Sequence, residues 1–424
     1  MLRLWTERMI TTQIARLRRQ VDFRQTFSSL RHRNYRLWFW GQLVSLFGTW
    51  MQVTAQGFLA YELTGSPAYL GYVGFAAGLP SWIFMPYGGV IADRVRRRTL
   101  LILTQSAMMI LALGLALLTF AGLVRPWHLI LMAFLLGIVN AFDAPARHAF
   151  VPDMVGLDDL TNAIALNSTI FNSATAVGPA VAGITYAFFG PAWCFIINAV
   201  SFIAVLVALI LMKLTAESRP DLSSTPLEDL KEGVRYVLSH PMIRALISLV
   251  LMTSLFGFSF TVLLPAWAVK ILHGDATTNG WLQSARGVGA LAGALTIASL
   301  GRFNFRGRLL QLGSFAFPLL ILIFAFMNRL PLSLLALVGS GVAVVFIFNL
   351  ANALVQTLVK DSLRGRVMGI YSLTFFGFLP VGALWIGTVA QHLGERTAVL
   401  INAVVMLFFA VLITILVPQL RRLK

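Results

Sequence analysis

The chain has 424 residues, of which 58% are hydrophobic and 12% charged, with a mean hydropathy of +0.81. A soluble domain carries about 25% charged residues, so half the polar surface that a water-soluble enzyme needs is missing. Lys and Arg number 33 against 16 Asp and Glu, a net charge of +17. With no polar domain to present them to nucleic acid, these cations read as membrane-flanking loops. The single cysteine, Cys194, lies in an apolar run and builds no disulfide framework, metal cluster or redox pair. This is the composition of an integral membrane protein, with no cofactor expected.

The first 36 residues carry nine arginines, and the apolar stretch after them is too long for a secretory signal. Around Ile14 to Arg19 they fit either a basic amphipathic helix on an anionic leaflet or a disordered tail. Windows of about 20 apolar residues, the length of a membrane-crossing helix, then fall at 37–60, 68–92, 99–121, 128–148, 162–187, 192–213, 243–269, 280–300, 309–328, 331–357, 367–391 and 396–417. Twelve spans are expected, in an all-α membrane protein. Gly65-Ser66-Pro67, Arg125-Pro126, Gly190-Pro191, His240-Pro241 and Arg329-Leu330-Pro331 punctuate the ends.

The longest polar stretch divides the spans into two sets of six. The expected units are a basic segment 1–36, a half 37–213, a linker 214–241, a second half 242–418 and a tail 419–424. Within the linker, Ser224 or Thr225 can cap a helix that Pro226 opens. Leu227, Leu230, Val234 and Val237 recur at helical spacing, so this segment reads as an interfacial helix. With an even span count, 28 of the 33 cations fall on the side of the termini and four on the other, with Arg286 inside a span. That bias places both termini in the cytoplasm.

The two halves look like copies. Asn140, Asp143 and Arg147 stand at i, i+3 and i+7, and Asn349, Asn352 and Gln356 repeat that pattern 209 residues later. Asp153 and Asp361 follow. The loop from Gly89 through Asp93, Arg94, Arg96, Arg97 and Arg98 has a second copy from Gly301 to Arg308, with Phe305 where the first copy has Asp93. Repeated halves with a site between them are the signature of secondary transporters.

The Gly89–Arg98 loop resembles the signature loop of the major facilitator superfamily, G-x-x-x-D-R-x-G-R-R/K, with Arg96 in place of its second glycine. In the fifth span, Ala174-x-x-x-Gly178-Pro179-x-x-Ala182-Gly183 is similar to that family's exporter motif, G-x-x-x-G-P-x-x-G-G, with two glycines replaced by alanine. Tyr61–Ser66, Ala141–Arg147 and Leu363–Gly369 resemble the branch of enterobactin exporters and transmembrane secretion effectors. The resemblance implies two pseudo-symmetric six-helix halves, an inner-membrane location and alternating-access export of a small siderophore-like or drug-like molecule. It also implies a gate built from Gly89, Asp93, Arg94 and Arg97, with Asp143 as ion partner and Arg147 beside it.

Polar groups in hydrocarbon need a partner or a function. Gln52 and Gln56 share a face of the first span, and with Asn140, Asn349, Asn352 and Arg286 they are the candidates for a substrate cavity. For Gln52 and Gln56 the alternative is interhelical glue, and for Arg286 it is snorkelling to the interface. As a cavity residue, Arg286 favours an anionic or electron-rich cargo. Asp143 and Arg147 can also simply neutralise each other. Carboxylates near spans are few, so Glu62 and Asp143 are the candidates for coupling to protons. Gly287-x-Gly289 reads as helix packing. The expected partners are the bilayer, a small-molecule substrate and protons, acting on a monomer that binds no nucleic acid. An importer or lipid flippase of the same fold, or a scaffold or sensor that moves nothing, are the rival readings.

Reporter fusions test the topology. Fusions after residues 125, 190, 275 and 329 should read as periplasmic and those after 97, 225 and 424 as cytoplasmic. Two or more inversions overturn the twelve-span arrangement.

Overall fold

Proline opens the helices of this chain and glycine closes them. Pro67, Pro126, Pro191, Pro241 and Pro331 occupy the first turns of five helices, where a missing N–H costs nothing. Gly65 ends the first helix in the left-handed region at φ +61°, a conformation that a side chain would strain. The computed structural model describes residues 27–156, 158–213, 226–300 and 305–423. Expectations for the N-terminal segment before residue 27, for 214–225 and for the second loop copy at 301–304 lie outside the described residues.

The helices are α1 (Arg33–Thr64), α2 (Pro67–Arg94), α3 (Arg97–Phe120), α4 (Pro126–Val155), α5 (Leu160–Phe189), α6 (Pro191–Leu211), α7 (Pro226–Ser239), α8 (Pro241–Met252), α9 (Leu264–Lys270), α10 (Ala276–Leu300), α11 (Arg306–Phe326), α12 (Leu330–Leu358), α13 (Arg364–Leu393) and α14 (Glu395–Leu416). Every apolar window coincides with helix. Among the described residues, nine helices are long and apolar enough to cross a membrane, with Pro241–Lys270 counted as one. The helices α1, α5 and α10 are not among them; they are the ones rich in Gln, Asn, Ser, Thr and Gly.

The seventh window is not one α-helix. A π turn at Thr253–Gly257 and a 3-10 stretch at Phe258–Leu263 separate α8 from α9. The linker helix α7 docks on the start of α13, where Gly233 meets Ile370 and Arg366 and where Arg366 pairs with Glu232. The interfacial reading of that segment thus becomes a docked helix.

Helices α1–α6 meet helices α8–α14 along two seams, both lined by glycine. On the first seam, between α2 and α13, Gly71 faces Ala383 and Gly387, Gly74 faces Ala383, and Gly78 faces Pro380. On the second, between α10 and α5, Gly280 faces Pro179 and Gly183, and Gly287 faces Thr175 and Ala176. The pairs correspond: Gly71 and Gly78 recur as Gly280 and Gly287 at the same 209-residue shift, and Gly183 recurs as Gly387 at a shift of 204. Small residues let helix backbones approach closely where lipid offers no hydrophobic drive to associate.

Glycine serves packing inside the second set as well. A Cβ on Gly289 of α10 would collide with the Val338 carbonyl of α12, whereas one on Gly114 of α3 would meet nothing within 4 Å. Gly289→Ala should therefore lower the melting temperature of the purified protein, since overpacking costs about 1–3 kcal/mol. Gly114→Ala should leave it unchanged or raise it slightly. Equal melting of the two variants overturns the close-packing account.

Candidate functional site

One face of the molecule carries the arginine-rich ends of the helices, and there the acids pair locally. Arg97, in the first turn of α3, donates to both carboxylate oxygens of Asp153 on α4 at 2.9 Å and to the Ala149 carbonyl. Asp143 is fully buried between α4 and α3, where Thr104 Oγ1 donates to it at 2.8 Å and Gln105 Nε2 at 2.9 Å. The Arg147 guanidinium lies 3.0 Å from its other oxygen without the alignment of a hydrogen bond. The expectation that Asp143 partners the loop arginine is thus corrected. A helical turn brings Arg147 to Asp143, and Asp153 stands nearer the loop for Arg97. Asp93 sits in the last turn of α2, Arg94 after it is exposed, and a Cβ on Gly89 would meet nothing within 4 Å among the described residues. In the second set the acid–base pair is replaced by two amides, with Gln356 donating to Asn352.

Gln52 and Gln56 are not open to a cavity. Gln52 accepts from Asn198 of α6 at 2.6 Å, and Gln56 donates to the Leu129 carbonyl of α4 at 3.0 Å. Both amides are buried interhelical ties. Asn140 and Asn349 are exposed. Asn140 lies nine positions, two and a half turns, from Leu131, which lines an apolar groove with Tyr72, Phe75 and Trp127; the two therefore sit on opposite faces of α4. Gly178 packs against Trp50 of α1, while Pro179 and Gly183 lie on the α5–α10 seam.

Arg286 is the exception among the predicted polar residues. It is 9% exposed, so it does not snorkel. The outward stripe of α10 is Trp281, Val288 and Leu295, all exposed, and Arg286 stands half a turn away from Leu295. Its guanidinium carbon lies 4.8 Å from the centre of the Phe258 ring. No carboxylate among the described residues pairs with it, and its Nε has no hydrogen-bond partner.

Glu62, at the end of α1, accepts from the Tyr186 hydroxyl of α5. Nearby, Lys270 at the end of α9 reaches Glu395 of α14 at 2.8 Å and lies beside Tyr61 of α1. This joins the two helix sets on the arginine-poor face.

Two further constellations escape a reading of spacing alone. Asn402 of α14 donates to the Phe256 carbonyl at 2.8 Å and accepts from Trp385 at 3.1 Å, so it holds the break in the seventh window. It stands 204 residues after Asn198, and Phe256 stands 204 after Gln52. The same contact recurs with a side-chain oxygen in one copy and a backbone oxygen in the other. The second constellation clamps the chain entry. Asp159, at the start of α5, accepts from Ser28 at 2.7 Å, from Arg31 at 2.7 Å and from His32 at 2.7 Å. Asn162 accepts from Ser29, and Tyr35 donates to the Ala163 carbonyl. The hydrogen bonds from His32, then Ser28 and Arg31, hold the Asp159 carboxyl down at about 2, from its ordinary 3.8.

The sequence profile of the transmembrane secretion effectors, described for that family as a whole, matches residues 24–423. The chain belongs to the transmembrane secretion effector family. These are membrane transporters of the major facilitator type and not enzymes. Among characterised proteins, the chain is 27% identical over 349 residues to the staphyloferrin A transporter of Staphylococcus aureus, covering 82% of this chain and 87% of that one. It is 26% identical over 388 residues to the multidrug efflux pump Tap of Mycolicibacterium fortuitum, covering 89% and 93%. To the enterobactin exporter EntS of Escherichia coli O1:K1 it is 25% identical over 406 residues, covering 93% and 94%. In fold this secretion effector resembles a bacterial homologue of the lysosomal transporter Spinster in an inward-facing, occupied state, with a TM-score of 0.71 at 14% identity over 92% of this chain and 98% of that one. It also resembles a peptide-conjugate complex of a POT family transporter, with a TM-score of 0.73 at 12% identity over 92% and 96%.

The Asp159 clamp carries a pH signature. A depressed carboxyl contributes stability that is fully present above its ordinary pKa and is lost as pH falls through the folded value. Asp159→Asn should therefore melt below the wild type at pH 7 and at pH 5 alike. The difference should shrink only between about pH 4 and pH 2. Equal melting at pH 7 removes the clamp from the stability of this face.

Proposed function

We propose that this chain is an alternating-access exporter of a small organic molecule, built from twelve spans in two six-helix halves, 37–213 and 242–418. It lies in the inner membrane with both termini in the cytoplasm. The observation that carries this reading is the pair of pseudo-equivalent glycine seams. Two rigid sets that touch through small side chains, with few polar ties, can rock against each other without breaking buried ion pairs. The arginine-rich ion pairs Arg97–Asp153, Arg147–Asp143 and Arg364–Asp361 each lie within one set. The Tyr61–Lys270–Glu395 contact and the Ser66–Gln391 hydrogen bond join the two sets on the opposite face. That distribution is what a transporter open toward the cytoplasm needs. The export of siderophores and drugs by the relatives supports the direction and the cargo size.

Proton coupling is the further step of this proposal, with Glu62 and its Tyr186 partner at the periplasmic closure as the titrating group. Asp143 is the weaker candidate, because three neighbouring groups, Thr104, Gln105 and Arg147, fix its carboxylate. The gate role of Asp93 and Arg97 is kept. In the open state Arg97 rests on Asp153, and closure brings the loop to the second half.

A cross-link tests the motion. A Cβ on Gly74 would lie 2.9 Å from the Ala383 Cβ, within a small backbone shift of the roughly 3.8 Å that a disulfide spans. The double variant Gly74→Cys, Ala383→Cys, with Cys194→Ser, should lower cellular accumulation of siderophores or dyes while reduced. It should lose that activity when oxidised and regain it with reductant. Export at the full rate through the oxidised protein overturns alternating access across this seam. Uptake in place of efflux makes the chain an importer, and no change in accumulation at equal expression leaves a scaffold.

A further inference from the structure

We infer that Arg286, the Phe258 ring and the broken segment Thr253–Leu263 form a binding site for an aromatic anion. The inference names the cargo class and so rests on the transporter reading, but the site itself stands on its own geometry. Backbone contacts flank Arg286 on both sides. Gly287 abuts Thr175 and Ala176 of α5, and Gly289 abuts Val338 of α12, while Gly341 abuts the Arg286 carbonyl. With the flanks filled and the lipid face on the opposite side, the side chain projects over Phe258.

Among the described residues the charge there has no counter-ion. A guanidinium stays protonated under all ordinary conditions, and a buried unpaired charge is expensive. Among the described residues the other buried charged groups have partners: Asp143 has Thr104, Gln105 and Arg147, Asp159 has Ser28, Arg31 and His32, and Glu395 has Lys270. The guanidinium carbon sits over the Phe258 ring, and its donors have no hydrogen-bond acceptor among the described residues. Those donors suit a carboxylate or sulfonate in bidentate fashion.

The neighbouring surface supplies the aromatic half of the specificity. Phe258 stands 6.5 Å from Phe348 of α12, and Phe348 stands 4.5 Å from Phe375 of α13 in an edge-to-face pair. Exposed Asn349 follows Phe348. The irregular backbone beside it is the second observation. Non-helical backbone at membrane depth is tolerated where it is buried in protein or lines a cavity, and π turns concentrate at functional sites. Asn402 and Ser259 both donate to the Phe256 carbonyl, which helps hold the break two residues before the Phe258 ring that faces Arg286.

The test uses the purified full-length protein in detergent and three probes: salicylate, its neutral relative salicylamide, and acetate, an anion without a ring. Calorimetric titration should show salicylate binding more tightly than either of the others. Arg286→Gln should weaken salicylate about tenfold or more, the loss of a charge-assisted bidentate contact, and leave salicylamide unchanged. Arg286→Lys, which keeps the charge, should fall between. Phe258→Leu should weaken salicylate and leave acetate unchanged. Undiminished salicylate binding by Arg286→Gln overturns the site, as does wild-type protein that binds salicylate no better than salicylamide. Acetate matching salicylate overturns the aromatic part. Because binding needs no transport, a failed efflux assay with intact salicylate binding counts against the exporter reading alone.

Discussion

A polar group in the hydrocarbon core has no water to fall back on, and each one left unsatisfied is heavily penalised. That constraint explains more of this molecule than any single motif. It makes the backbone helical and sends Gln52 to Asn198 and Gln56 to the Leu129 carbonyl. It wraps Asp143 in Thr104, Gln105 and Arg147. It also brings the Asn402 amide to the Phe256 carbonyl in the π turn at Thr253–Gly257, where Ser259 Oγ donates as well. Against that background Arg286 stands out as a buried charge with no carboxylate beside it among the described residues.

The second constraint is contact without side chains. Oily helices gain nothing from the hydrophobic effect when they leave lipid for one another, so association depends on close packing. Gly71 and Gly78 on one seam and Gly280 and Gly287 on the other bring backbones together. Surfaces of this kind can separate and re-form with little desolvation of polar groups. Ties across the seams include Ser66–Gln391 and the contacts around Lys270 near one face, and the Trp82–Gly377 hydrogen bond deeper on the α2–α13 seam.

The sequence made the helices legible because hydropathy is a property of each segment alone. The polar repeat of Asn140, Asp143 and Arg147 in Asn349, Asn352 and Gln356 was visible for the same reason: identical or similar side chains at identical spacing. The Asn198–Gln52 and Asn402–Phe256 repeat was not, because the second copy substitutes a backbone carbonyl for a side-chain oxygen and Phe256 carries no polar signal. The break at Thr253–Leu263 hid within a uniformly apolar window, where Gly257, Ser254 and Ser259 were its only traces. Spacing showed that Gln52 and Gln56 share a face but not which helix that face meets. Arg97 finding Asp153, and Asp159 gathering Ser28, Arg31 and His32, are tertiary pairings between helix ends far apart in the chain.

The asymmetry between the two sets has an electrostatic consequence. In the first set the buried acid and its arginine lie on one helix and cancel locally. In the second set the equivalent positions, Asn352 and Gln356, carry no charge. Neither copy therefore projects a net field into the middle of the bundle. Arg286 does, and Phe258 beneath it offers an electron-rich face that stabilises the cation without neutralising it. A cation held by a ring keeps its attraction for an anion, whereas one held by a carboxylate would have lost it. The duplicated scaffold thus supplies paired seams of small residues. Arg286 has no counterpart in the first copy, where Ala77 stands at the 209-residue shift, and in the site proposed above it is the residue that selects the anion.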